Sequence, residues 1–123
     1  MARITAFGGV FFHSPDPKAL AAWYRDKLGL SIEDWGGAMI DAQGNGPPFG
    51  VWTPFKRDTD YFKPSSREFM INFAVDDLDA FLAQIEAKGV TVLGKMETDP
   101  NGKFAWVLDP DGTKIELWQP KPK

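Results

Sequence analysis

Apolar residues recur along this chain with two different periods. In residues 17–28 and 78–88 they recur every three or four positions, as on one face of an amphipathic helix. An aspartate suited to capping a helix, Asp16 or Asp77, precedes each stretch, and a glycine that favours a helix end follows each one. The pattern therefore predicts two helices, one in each half of the chain.

Around these helices, apolar and β-branched or aromatic residues form short stretches typical of strands. The predicted strands are residues 4–12, 30–35, 37–41, 49–53, 69–75, 90–93, 104–108 and 113–119. Residues 43–48, 54–67 and 94–103 are predicted loops. The loop 54–67 is predicted to be a mobile connection or lid, because it contains prolines and follows neither period, and its adjacent aromatics Tyr61 and Phe62 are the best lid candidates.

The order strand, helix, three strands occurs twice. It predicts one domain over residues 1–123, built from a first module at 4–54 and a second at 67–120. Any two mixed segments share some hydrophobic patterning, but the helix cap, the stop glycine and a final W-x-P also recur in the same order, which favours a true repeat. The W-x-P match aligns Gly50 with Glu116.

The sequence D-P-D-G at 109–112 is the clearest turn signal, and it predicts a hairpin that ends with strand 113–119. In that strand Glu116 lies between two apolar neighbours and shares a face with Trp118. A buried carboxylate without a partner costs free energy, so Glu116 lies either on a solvated face or at a site that needs its chemistry.

Composition narrows the function classes. The chain has no Cys, which excludes a thiolate nucleophile and a Cys-based metal site, and its net charge of −3 without a long Lys/Arg run argues against nucleic acid and anionic membranes as partners. No apolar stretch is long enough to span a bilayer and the start does not resemble a signal peptide, so the expectation is a cytoplasmic protein. Five Trp and ten Phe are enough to line a pocket as well as fill a core.

The chain resembles the vicinal oxygen chelate superfamily in three segments, residues 11–30, 73–90 and 109–120. That superfamily includes glyoxalases, bleomycin-resistance proteins and extradiol dioxygenases. The segments W-Y-R-D-x-L-G-L and D-P-D-G followed by I-E-L carry most of the resemblance. It implies an α+β fold of two βαβββ modules whose curled mixed sheets enclose a concave pocket. It also implies a homodimer.

In metal-using members of that superfamily, each module contributes a His seven positions before the helix-capping Asp and a Glu in its closing strand. Carried over by the resemblance, these positions are Gly9, Met70, Gly50 and Glu116, and only Glu116 has a ligand-type side chain. The single histidine, His13, is expected to be a surface or capping residue. The expectation is therefore that the protein uses no metal at the usual site and no cofactor.

Strand alternation predicts which side chains face the pocket. Glu116 is the candidate catalytic residue, and the opposite face, which includes Val51, is expected to meet the helices. Packing is the commoner role for any one aromatic residue, but Asn72 and Glu116 do not belong in a dry core. The predicted ligand-binding residues are Phe7, Gly9, Phe11, Gly50, Trp52, Met70, Asn72, Trp106 and Trp118.

Two function classes remain open at this point. The first is a metal-free protein that binds a small aromatic or amphipathic ligand, neutral or cationic, as the bleomycin-resistance members do. The second is a lyase, isomerase or dioxygenase with Glu116 as a general base or as part of an atypical metal site. A third class, an accessory dimer without a small ligand, leaves the strand glycines and Glu116 unexplained.

Overall fold

A computed structural model describes residues 1–40 and 50–121 of the chain. Within these two ranges, two helices and seven strands follow one another in an α+β arrangement. They are β1 (Ile4–Ser14), α1 (Pro17–Leu28), β2 (Ala38–Ile40), β3 (Gly50–Lys56), β4 (Phe69–Val75), α2 (Leu78–Ala87), β5 (Val92–Asp99), β6 (Gly102–Leu108) and β7 (Lys114–Pro120).

All seven strands belong to one mixed sheet, in the order β2-β3-β1-β4-β7-β6-β5. In each half, the strand before the helix pairs in parallel with the last strand of that half, β1 with β3 and β4 with β7. The two halves meet where β1 and β4 pair antiparallel. The expected α+β fold with a curled mixed sheet is confirmed, whereas the module boundaries 4–54 and 67–120 stay a prediction.

The helices begin as their caps predict. Asp16 accepts a hydrogen bond from the backbone N–H of Ala19, and Asp77 accepts one from that of Ala80. Gly29 ends α1 with a φ of 75°, a left-handed conformation that suits glycine. Both helices are therefore confirmed.

The two faces of the sheet are both covered, by different groups. Helix α2 packs its apolar side on β6 and β7, around the buried residues Leu78, Val107 and Leu117. Helix α1 packs on β1 and β3. On the opposite, concave face, the loop between β3 and β4 covers a second cluster, formed by Phe11, Phe62, Met70 and Trp106. Because side chains alternate along β7, Leu117 lies on the helix-covered face of the sheet and Glu116 lies on the concave face.

Two of the predicted segments are wrong. Residues 30–35 form no strand, because the backbone closes a turn in which Glu33 N–H donates to Gly37 O at 2.8 Å. Residues 94–103 are not a loop, since β5 continues to Asp99 and pairs with β6 after a short turn. As the last strand at its end of the described sheet, β5 is solvated on much of both faces, so its sequence lacks the alternation of a half-buried strand.

The strand predicted at 49–53 starts at Gly50 and continues to Lys56. The predicted loop 43–48 lies outside the described residues, as do residues 41 and 49. Within the described ranges, neither helix has the length and apolar content to cross a membrane. The cytoplasmic location stays a prediction.

Candidate functional site

A buried carboxylate lies at the floor of the concave face. Glu116 is only 2% exposed. Its Oε2 accepts hydrogen bonds from the Tyr61 hydroxyl at 2.5 Å and from Trp106 Nε1 at 2.8 Å, and its Oε1 accepts one from Asn72 Nδ2 at 2.7 Å. Three side-chain donors therefore converge on one carboxylate, which satisfies most of its hydrogen-bonding capacity.

Sheet register brings two of these donors to Glu116. Asn72 is its partner in the parallel pair of β4 with β7, and Trp106 is its partner in the antiparallel pair of β6 with β7. Side chains of directly paired residues lie on the same face and within contact distance. The third donor, Tyr61, comes from the loop between β3 and β4.

Burial raises the pKa of the Glu116 carboxyl above its usual value, because the charged form loses its hydration. The hydrogen bonds from Tyr61, Asn72 and Trp106, and the positive charge of Lys114, favour the carboxylate and offset part of that rise. Burial and the neighbouring Glu116 carboxylate in turn raise the pKa of the Tyr61 hydroxyl, so this phenol stays protonated and acts as a donor.

Lys114 is the second buried charged residue on this face, and it is 9% exposed. Its Nζ donates to the backbone carbonyl of Tyr61 at 2.5 Å and lies 5.1 Å from the centre of the Tyr61 ring and 5.5 Å from that of Trp106. Burial lowers the pKa of this amine. Lys114 and Glu116 therefore hold the two ends of Tyr61, its carbonyl and its hydroxyl.

A glycine makes room for the Asn72 amide. A Cβ atom at Gly8 would lie 2.0 Å from Asn72 Oδ1, so no other residue fits there unless the amide moves. Asn72 Oδ1 is buried and has no hydrogen-bond partner among the described residues, because it faces the backbone of Gly8 while Nδ2 faces Glu116. The missing side chain at Gly8 thus permits the amide orientation that donates to Glu116.

A pocket of about 400 Å³ opens over this carboxylate. Aromatic and aliphatic side chains form most of its wall, and Thr53, Asn72, Asn101 and Glu116 supply polar groups. A larger open groove of about 1210 Å³ lies at the start of α1 and shares Trp35, Thr53 and Phe55 with it, but does not include Glu116. The smaller pocket is the candidate site, since it contains the buried, hydrogen-bonded carboxylate of Glu116. Its apolar lining is Phe11, Trp35, Met39, Val51, Phe55, Tyr61, Phe104 and Trp118.

The groups around Glu116 do not fit a metal ion. A metal ligand directs a lone pair at the ion, whereas Tyr61, Asn72 and Trp106 all direct protons at the carboxylate. In the part of the chain that the structure describes, no three His, Cys, Asp or Glu side chains are close enough to hold an ion together. A metal at Glu116 Oε2 would have to displace Tyr61 or Trp106, and it would need further ligands.

The predicted site residues divide into three groups. Phe11, Asn72, Trp118 and Glu116 line the pocket. Met70 and Trp106 belong to the buried cluster on the same face, so they support the floor without lining the pocket. The others, Phe7, Gly9, Gly50 and Trp52, do not line it.

The predicted orientation of β3 is wrong. Trp52 lies on the helix side, with its ring centre 4.5 Å from Tyr24 of α1, whereas Val51 lines the pocket. In the first half Phe11 of β1 pairs with Thr53 of β3, and in the second half Asn72 of β4 pairs with Glu116 of β7. Thr53, not Gly50, is therefore the residue of β3 that corresponds to Glu116. The W-x-P match is thus three positions out of register, and an odd shift turns every side chain of a strand to the other face.

A bulge in β1 accounts for Phe7 and Gly9. The register with β4 shifts between Phe7, which pairs with Phe73, and Gly9, which pairs with Asn72. Phe7 is therefore turned to the helix side, 60% exposed, with its ring 6.1 Å from Phe73. Gly9 has a φ of 151°, and a Cβ there would lie 2.2 Å from Val51 O, so its role is in the backbone of the bulge.

His13 and several lining residues also differ from the sequence-based expectations. His13 is partly buried in β1 and stacks on Phe62 at 4.7 Å, rather than lying on the surface or capping the helix. Tyr61, expected only as a lid, donates directly to Glu116. The alternation of β6 could have identified Phe104, two residues before Trp106, but the loop residues follow no pattern. The lining residues not predicted are Trp35, Met39, Val51, Thr53, Phe55, Tyr61, Asn101 and Phe104.

Solved structures with the same fold include several epimerases. The chain superimposes on a Streptomyces coelicolor methylmalonyl-CoA epimerase, in complex with 2-nitronate-propionyl-CoA, with a TM-score of 0.71 and 20% identity over 98% of this chain and 100% of the other. The Mycobacterium tuberculosis methylmalonyl-CoA epimerase gives 0.67 and 19% over 97% and 90%. A glyoxalase/bleomycin resistance protein/dioxygenase superfamily member from Vibrio splendidus gives 0.59 and 13% over 98% and 100%. At these identities the likeness shows the fold alone.

No curated protein matches the sequence. Residues 9–118 match the family described as Glyoxalase-like domain. The matched range covers most of the chain and, apart from the first residues of β1 and the last residues of β7, all of the described strands. This match and the shared fold confirm the resemblance to the vicinal oxygen chelate superfamily. The chain belongs to the Glyoxalase-like domain family.

Proposed function

We propose that this protein binds a small aromatic or amphipathic ligand, neutral or cationic, in the pocket over Glu116, and does so without a metal ion. The observation that carries the proposal is a buried carboxylate with three directed donors at the floor of a pocket whose wall is mainly aromatic and aliphatic. A buried ionisable group whose pKa is shifted and which lines a pocket is a typical feature of a functional site, so its place there supports a binding role.

The wall of the pocket supports the ligand's character. Phe104 and Trp118 line the wall with nearly parallel rings, 6.3 Å apart and 9° between planes, and such flat aromatic surfaces suit a ring or an apolar chain. The carboxylate favours a ligand that brings a hydrogen-bond donor or a positive charge. A ligand anion next to Glu116 would meet like charge in a site of low dielectric constant.

Metal independence is supported by the donors around Glu116. Each of the three donates a hydrogen bond to the carboxylate. Replacing them by an ion would leave the Asn72 amide and the Trp106 indole without their acceptor.

Acid–base catalysis is the second candidate function, and one observation favours it. The Tyr61 hydroxyl lies 2.5 Å from Glu116 Oε2, and burial raises the pKa of that carboxyl above its usual value, which makes the carboxylate a stronger proton acceptor. In this case Glu116 would act as the base in an isomerase or lyase reaction. The methylmalonyl-CoA epimerases with the same fold make an isomerase the first activity to assay.

We also propose that two copies pair as a homodimer. β2 lies at one end of the described sheet, and its Met39 and Ile40 are exposed, which leaves an apolar edge for a second copy. Sedimentation at micromolar concentration should give the mass of two chains, and a single-chain mass would contradict the dimer.

Three compounds of one skeleton test the binding proposal. Benzyl alcohol, benzylamine and benzoate are neutral, cationic and anionic, and Trp106 and Trp118 beside the pocket provide a fluorescence signal. Benzyl alcohol and benzylamine should change the Trp fluorescence in a saturable way, whereas benzoate should not. A response to benzoate alone, or to none of the three, would contradict the proposal.

A further inference from the structure

The three donors to Glu116 differ in how they are held. Asn72 and Trp106 are side chains of paired strands, 2% and 8% exposed, and the sheet itself fixes them. Tyr61 belongs to the loop between β3 and β4 and is 37% exposed. Of the three partners, Tyr61 is therefore the one that can leave without opening the sheet.

While Tyr61 and Trp106 are in place, Glu116 cannot accept a further hydrogen bond from a ligand at Oε2. Its Oε2 already accepts from Tyr61 and Trp106, its Oε1 accepts from Asn72, and the residue is almost fully buried. A ligand that donates to Oε2 must therefore take the place of one of these two donors. The place that can be vacated is that of Tyr61.

The position of Tyr61 shows what fits there. Its ring is stacked parallel to Phe55, with centres 5.4 Å apart and an interplanar angle of 5°. The edge of Trp106 meets it at 6.2 Å and 83°, and Phe11 lies 6.5 Å away. Its hydroxyl donates to Glu116. The position thus takes a six-membered aromatic ring with a hydroxyl on the side facing β7.

Lys114 adds a requirement at the other end. Its buried ammonium donates to the Tyr61 backbone carbonyl, so a movement of the loop that carries the whole residue away leaves this donor without that acceptor. A ligand that replaces Tyr61 gains most when it carries an acceptor oxygen on the side of the ring away from its hydroxyl. The two buried charges of β7 would then each have a partner again.

We propose that Tyr61 occupies its own ligand's place, and that the ligand is a neutral phenol carrying an acceptor oxygen such as a carbonyl, which displaces Tyr61 and donates its hydroxyl to Glu116. This inference rests on the proposed function and narrows its ligand class. It also assigns Tyr61 a second role, as the residue that excludes ligands unable to donate a hydrogen bond to Glu116.

Calorimetric titration with 4-hydroxyacetophenone and 4-methoxyacetophenone tests the inference, because the methoxy compound keeps the ring and the carbonyl and lacks the donor. We expect the hydroxy compound to bind about tenfold or more tightly, since the methoxy compound leaves a buried carboxylate short of one donor. Equal affinities would overturn the inference. If Trp fluorescence still responds to benzyl alcohol, the proposed function survives that failure; if nothing binds, the proposed function fails as well.

Tyr61→Phe tests displacement, with Tyr24→Phe as its control because the chain has only two tyrosines. Tyr61→Phe removes the competing hydroxyl, so the affinity for 4-hydroxyacetophenone should rise about tenfold. The control should bind as the wild type does. Weaker binding by Tyr61→Phe would overturn the inference, since it would mean that Tyr61 contacts the bound ligand rather than yielding to it.

A measurement on the wild-type protein covers the case in which the variant does not fold. With ¹³C-labelled tyrosine the chain should give two sets of ring signals. The phenol should shift the Tyr61 signals to those of a solvated ring and leave the Tyr24 signals in place. Unchanged Tyr61 signals in the saturated complex would overturn the inference.

Discussion

Asn72 and Glu116 are direct partners in the parallel pair of β4 with β7, and the amide of the first donates to the carboxylate of the second at 2.7 Å. The amide can do this because its other end lies against Gly8, which has no side chain. A backbone feature of β1 therefore sets the hydrogen bonding of a carboxylate two strands away.

Gly8→Ala should break this arrangement. The new Cβ would lie 2.0 Å from Asn72 Oδ1, so the amide must move and Glu116 loses a donor. We expect a loss of about 1–3 kcal/mol in the free energy of unfolding at neutral pH, measured by denaturant titration.

Gly50→Ala is the matched control for this experiment. It is also at a strand glycine of the same sheet, but among the described residues its Cβ would meet the nearest atoms at 3.8 Å, an ordinary contact distance. It should be close to neutral. Equal losses in the two variants would show that Gly8 matters only as a glycine in a strand, not as the space for Asn72.

Trp106→Phe should keep most of the packing and remove the indole N–H that donates to Glu116 at 2.8 Å. With one donor fewer, the carboxylate is less favoured, so the pKa of Glu116 should rise further and stability at neutral pH should fall by about 1–3 kcal/mol. Trp23→Phe, at an exposed position of α1, should change stability little. Carboxyl ¹³C titration checks the first effect, and an unchanged Glu116 titration would contradict it.

The raised pKa of Glu116 predicts how stability depends on pH. Between its unfolded and folded pKa values the folded state holds the proton more tightly than the unfolded state, so this group's contribution is greatest below the unfolded pKa and falls as pH rises through the folded one. In Glu116→Gln this fall should be absent, and the variant should be at least as stable as the wild type at neutral pH. Thermal melts from pH 4 to pH 8 measure the difference, and parallel curves would contradict it.

Lys114→Met should move this fall in stability to higher pH. The ammonium favours the carboxylate, so its removal raises the pKa of Glu116. The exposed control Lys18→Met should leave the pH at which stability falls where it is in the wild type. A shift of equal size in the control would assign the effect to net charge rather than to Lys114.

Metal titration tests whether the hydrogen-bond donors around Glu116 keep a metal ion from binding there. Calorimetry with Zn²⁺, Mn²⁺ and Fe²⁺ on protein purified without chelators should show no stoichiometric binding, because Glu116 is surrounded by hydrogen-bond donors. One tightly bound ion per chain that is lost in Glu116→Ala would contradict metal independence.

Much of the fold and part of the site could be predicted from the sequence, and the limits have physical causes. The alternation in β4 and β7 is strong because one face meets α2, so it predicts the correct face for Asn72, Glu116 and Trp118. In β3 the alternation was too short to settle the face, and the W-x-P letters suggested a register that backbone pairing does not follow.

Hydrophobic periodicity could not identify Tyr61 as a hydrogen-bond donor to Glu116. This residue lies in an irregular loop, and only the folded chain brings its hydroxyl to Glu116, 55 positions away in sequence. The role of Gly8 was hidden for a related reason. The bulge beside it shifts the register by one residue, and the sequence marked the two adjacent glycines without showing which one faces Asn72.

The central claim is that Glu116 anchors a ligand in the aromatic pocket. The most direct measurement is the dissociation constant of the tighter of benzyl alcohol and benzylamine for the wild type, for Glu116→Gln and for the exposed control Glu86→Gln. We predict that Glu116→Gln weakens binding about tenfold or more without lowering the melting temperature, and that Glu86→Gln matches the wild type. Unchanged binding by a folded Glu116→Gln would contradict the account.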